Sequence, residues 1–118
     1  MITGLHVLLT SQDPAADRAF LRDVLGWPFV EDAGAEPGWL IFKAPPTEIG
    51  VHPTDGVPGA EPYLMCDDID VTIAELAAKG VEVTPIREAR FGRLVQLTMP
   101  SGARLGLYQP HHPVALDL

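Results

Sequence analysis

Residues 48–53 read Glu-Ile-Gly-Val-His-Pro, and residues 104–109 read Arg-Leu-Gly-Leu-Tyr-Gln. Both hexamers centre on an apolar–Gly–apolar triplet, and they lie about half a chain length apart, which marks an internal repeat. Upstream of each hexamer the same succession of elements recurs. In the first half a strand is predicted at Leu5–Leu9, then a helix capped by Asp13, entered at Pro14 and stopped by Gly26. Strands at Trp27–Glu31, Trp39–Lys43 and Glu48–His52 follow. The second half restarts with a strand at Glu61–Cys66, and Asp67-Asp68-Ile69-Asp70 caps a helix that Gly80 stops. Strands at Val81–Ile86, Arg93–Met99 and Arg104–Tyr108 complete it, the last two joined by the turn Pro100-Ser101-Gly102. Each half is therefore β-α-β-β-β, too small to bury a core alone. The expected fold is α+β: paired βαβββ modules forming a curved mixed sheet cup, with the helices outside.

Length and composition agree with that reading. At 118 residues the chain is expected to be a single domain, with modules at about 3–53 and 61–109 and the stretch PTDGVPGA over 53–60 as linker. Apolar residues make up 47% and charged residues 20%, the balance of a folded chain and not of a disordered one. A formal charge of −8 argues against nucleic acid and anionic membranes, whose phosphates need a basic face. No apolar run is long enough to span a bilayer, and the start MITGLHVLLTSQDP lacks the basic region of a signal peptide. The one cysteine, Cys66, allows no internal disulfide, so a cytoplasmic location is expected.

Strand parity then sorts the side chains. If each helix covers the apolar face of its sheet, Val7, Leu9, Ile49, Val51, Leu64, Cys66, Leu105 and Leu107 face helices. The opposite face collects His6, Thr10, Glu48, Gly50, His52, Glu61, Tyr63, Met65, Arg104, Gly106 and Tyr108, a polar and aromatic lining for a concave pocket. Tyr63, Tyr108 and Trp39 suit stacking on a planar ligand. Arg87, Arg90 and Arg93 cluster in a loop-like stretch, where a solvated run is the simpler account than an anion site. Cys66 reads as a small apolar filler, and His111-His112, between Pro110 and Pro113, as a tail.

The paired halves resemble the vicinal oxygen chelate superfamily, which includes glyoxalase I, extradiol dioxygenases, and the fosfomycin- and bleomycin-resistance proteins. The likeness rests on His6 in Gly4-Leu5-His6-Val7, on Cys66-Asp67-Asp68-Ile69-Asp70, and on the closing run Met99–Leu107. It covers about residues 3–109. Metal-dependent members carry ligands at equivalent points of four inner strands. The resemblance places His6 and Glu61 on two of these and Gly50 and Gly106 on the others, where glycine offers no donor. A Zn, Fe, Mn or Ni ion would thus find an incomplete set, His52 lying two residues beyond Gly50.

Two functions follow from the resemblance. One is a small-molecule binding protein of the glyoxalase, bleomycin-resistance and dioxygenase type with a degraded metal site, holding its ligand among His6, His52, Glu61, Tyr63, Tyr108 and Trp39. An acidic aromatic pocket of this kind suits a cationic or planar compound. The other is a metal-dependent lyase, isomerase or extradiol-type dioxygenase acting on a small vicinal-oxygen substrate, with Glu61 or His52 as base. On the first reading, substituting glutamate for Gly50 and Gly106 together should raise metal affinity. The short halves and open sheet edges predict a homodimer.

Overall fold

The computed structural model describes residues 6–32 and 34–118. Both helices form where their caps place them. Helix α1 spans Pro14–Asp23, with the Asp13 carboxylate accepting from the Ala16 N–H. Helix α2 spans Ile69–Ala78, with Asp68 accepting from the Val71 N–H. Gly26 and Gly80 follow them at φ of 70° and 78°, the left-handed geometry that ends helices and favours glycine.

Strands β1 (Phe29–Glu31) and β2 (Leu40–Phe42) form an antiparallel hairpin in the first half. The second half builds a four-stranded sheet from β3 (Tyr63–Met65), β4 (Arg87–Ala89), β5 (Gly92–Thr98) and β6 (Arg104–Pro110). Its order is β3-β6-β5-β4, with β3 parallel to β6 and the other pairs antiparallel, so the sheet is mixed as expected. Phe20 of α1 and Ile69 and Leu76 of α2 pack on Val95, Leu97, Met99, Leu105 and Leu107. Leu64 and Cys66 join them, so the expected helix-facing parity holds throughout the second half.

The first half departs from expectation. Among the described residues no strand forms within 6–9 or at Glu48–His52, and Leu5 lies outside the described residues. Val7 is 59% exposed, Ile49 73% and Val51 93%, although all three were expected to face a helix. A strand needs a neighbour to take its N–H and C=O groups, and neither segment has one among the described residues. A second correction concerns Val81–Ile86, which makes only the bridge Val83↔Leu97. The Gln96 N–H donates to the Thr84 hydroxyl at 2.8 Å, where a continuing ladder would have it meet the Thr84 carbonyl, and pairing resumes at β4, within the arginine stretch expected to be a loop.

One buried carboxylate ties the halves together. Asp17 of α1, 6% exposed, accepts from the Ser101 backbone N–H at 3.1 Å and from its hydroxyl at 2.7 Å. The Lys79 ammonium also donates to the Val24 carbonyl at 2.9 Å, beside the end of α1. Even so, the chain is open. Its radius of gyration is 15.4 Å, against about 13.5 Å for a compact chain of this length. Its accessible surface is 8820 Å², against about 6200 Å² for a compact monomer of this mass.

Candidate functional site

The face of the second-half sheet opposite the helices is floored by tyrosines seated over glycines. Tyr63 of β3 registers with Gly106 of β6. A Cβ at Gly106 would overlap the Tyr63 ring, its Cγ only 2.8 Å away, so only glycine leaves room for the ring. Tyr108, two residues along β6, lies against Gly92, where a Cβ would come 3.1 Å from its Cδ2. The two tyrosine rings meet edge to face at 5.9 Å and 87°. Phe91 closes on the other side of Tyr108 at 6.0 Å and 70°. This is a rigid aromatic floor, with each ring held by a partner.

Carboxylates border the floor. The Tyr63 hydroxyl points to Glu61 Oε2 at 3.4 Å, a long contact. Glu48, contributed by the first half, has a side chain only 15% exposed, with Oε1 3.8 Å from His112 Nε2. The Tyr108 hydroxyl lies 2.9 Å from that same Nε2. Burial, and then the charge of nearby Glu48, push the Tyr108 phenol above its ordinary pKa.

The structure thus brings together Tyr63, Tyr108 and Glu61 from the expected set, and leaves the others apart. His52 is exposed and folds back on its own segment, its Nε2 3.4 Å from where a Gly50 Cβ would stand. His6 is likewise exposed. Trp39, beside β2, lies under the Arg18 guanidinium at 4.6 Å instead of on the tyrosine floor. Among the described residues no three His, Cys, Asp or Glu side chains gather as a metal site would require. A glutamate at 106 would also have to displace Tyr63, so restoring that carboxylate is not the simple repair expected.

Two neighbours were missed. Glu48 sat on the inner parity without any motif to single it out, and His112 lies in a tail beyond the repeat, where periodicity carries no signal. Of the arginine cluster, Arg93 is engaged by Asp70 at 3.1 Å and Glu88 at 2.9 Å, which raises its pKa further. Cys66 packs on the core as expected, and burial pushes its thiol up, away from nucleophilic character.

Comparison with known proteins places this geometry. The Glyoxalase/Bleomycin resistance protein/Dioxygenase superfamily model matches residues 5–107, and the chain belongs to that family. Among solved structures it resembles TnmS3, an antibiotic binding protein from Streptomyces sp. CB03234. That match has 24% identity, 92% coverage of this chain, 97% of the other and a TM-score of 0.67. It also resembles a lactoylglutathione lyase from Agrobacterium tumefaciens, at 20% identity, 91% and 92% coverage and a TM-score of 0.62. A mutant of the fosfomycin resistance protein FosX from Listeria monocytogenes, complexed with Mn(II) and a dihydroxypropylphosphonic acid, follows at 19% identity, 92% and 90% coverage and 0.56. At these identities the likeness is one of fold. No curated protein matched the sequence.

Proposed function

We propose that this protein binds a small planar molecule on the Tyr63–Tyr108 floor and is not built around a metal. The observation that carries the reading is Tyr63 seated over Gly106. The resemblance to metal-dependent members assigns a ligand to that position, and here an aromatic ring occupies the space a donor side chain would need. With Gly50 equally without a donor, His6 and Glu61 remain as two candidate ligands where a tight site takes three or four. The antibiotic-binding description of TnmS3 agrees with a binding role. We propose His6, His52 and Trp39 only as outer contacts of such a ligand.

The test is a fluorescence or calorimetric screen of planar aromatic compounds. A hit should weaken at least tenfold on Tyr108→Ala. Metal analysis of dialysed protein should give well under one equivalent of transition metal. Stoichiometric metal, lost on His6→Ala or Glu61→Ala, would favour the metal-dependent enzyme instead.

We further infer a homodimer, supported by the surplus of about 2600 Å² over a compact monomer. Two copies would bring about 5200 Å² of such surplus, at the upper end of what obligate dimers bury. A cytoplasmic location is proposed on the single free cysteine.

A further inference from the structure

The tail that follows the repeat folds back on the proposed binding floor and meets it as a ligand would. His111 anchors the exit of β6 by donating its N–H to the Phe91 carbonyl at 2.7 Å. The His112 ring lies against Tyr108, with centroids 5.8 Å apart and planes 31° from parallel. Its Nδ1 is 2.7 Å from the Pro113 carbonyl, a contact that requires Nδ1 to carry the proton. In the neutral ring Nε2 is then the acceptor for the Tyr108 hydroxyl. Beyond Pro113 the chain turns into a short 3-10 turn at Ala115–Asp117, and the Ala115 N–H donates to Glu48 Oε2 at 2.8 Å.

Glu48 is thus a largely covered carboxylate that accepts from one tail N–H, with the Tyr108 phenol beside it and His112 Nε2 3.8 Å away. Neither the tail N–H nor the phenol carries a positive charge, so a fully charged donor would match the covered carboxylate better. The tail itself is lightly held. Of its apolar side chains Val114 is half-buried and Leu116 is 41% exposed, so only the first adds to its seating. A charged donor flanked by aromatic faces would suit the niche better than the tail does.

We propose that residues 111–118 form a displaceable strap over a cation niche made by Glu48, Tyr108 and Phe91, and that a planar organic cation binds there by displacing it. The inference rests on the small-molecule reading above and names its ligand class. The strap is then an internal competitor, and the apparent affinity falls by the fraction of molecules in which it is seated.

The experiment uses the full chain with thioflavin T, a planar cation, and anilinonaphthalene sulfonate, a planar anion, as probes. Ala115→Pro removes only the N–H that reaches Glu48, and Val114 before it is already extended, as a pre-proline residue should be. This variant, and its combination with His112→Ala, should bind thioflavin T about fivefold tighter or more. Glu48→Gln should weaken that binding by a similar factor while leaving the anion's binding no weaker. Amide exchange in 111–118 should speed up when thioflavin T is added, the reverse of ordinary protection by a ligand. Equal or weaker binding by the unlatched variants, with the tail still protected, would overturn the strap and leave the binding reading standing. Failure of every variant to bind either dye would overturn both.

Discussion

Tyr108 is the residue on which the floor, the first half and the tail converge, and its ionisation reports on all three. Because the fold raises its phenol pKa, the neutral form is favoured in the native state. That contribution to stability is complete below the ordinary tyrosine range and is lost as pH climbs through the raised value. Ultraviolet titration should show Tyr108 ionising later than free tyrosine, the late step vanishing in Tyr108→Phe, and alkaline unfolding should be less steep in that variant. Gly106 sets the complementary expectation. Gly106→Glu must expel the Tyr63 ring, so it should destabilise the fold by about 1–3 kcal/mol, as overpacking does, and abolish planar-ligand binding. Chemical denaturation and the dye titration would check it. Unchanged stability would mean that the ring moves aside freely.

At the level of elements, local chemistry was legible and long-range pairing was not. Asp13-Pro14 with Gly26, and Asp68 with Gly80, located both helices to within a few residues, because caps and left-handed glycines act locally. The β5–β6 hairpin was equally readable from its turn. The strands expected at the start of the chain and at Glu48–His52 failed because alternation shows which face is apolar, not whether a partner strand is present. Glu48, for the same reason, was read as the pocket-side residue of a strand that does not form, and its contact with the tail stayed invisible. The join of α1 to the Pro100-Ser101-Gly102 turn also escaped the sequence, since nothing local links Asp17 to Ser101. Asp17→Ala should cost about 1–3 kcal/mol by leaving the Ser101 N–H and hydroxyl unpaired. In a denaturation double-mutant cycle, adding Ser101→Ala to Asp17→Ala should cost little more than Asp17→Ala alone. Additive losses would show that the two do not act together.

For the molecule as a whole, the extended dimensions and exposed apolar rows of the first half point to surface that a second copy would cover. Light scattering at micromolar concentration should give twice 12.7 kDa. Amide exchange at 6–10 and 48–52 should be faster on dilution, as expected if association protects these segments. A particle of 12.7 kDa with the same exchange at every concentration would exclude it.

The same exposed stretch has a bearing on how the chain survives before it meets any partner. Val51 and Val57 are each 93% exposed and Ile49 73%, a combination that invites edge-to-edge stacking into insoluble fibres. Yet residues 45–62 also carry Pro45, Pro46, Pro53, Pro58 and Pro62. A proline lacks the N–H that a growing cross-β stack must donate, so these positions interrupt a template that the valines would otherwise offer. Replacing Pro53 and Pro58 together by alanine should therefore leave the folded core untouched while turbidity on prolonged incubation rises. The prolines of this stretch thereby protect a nascent, still solitary chain.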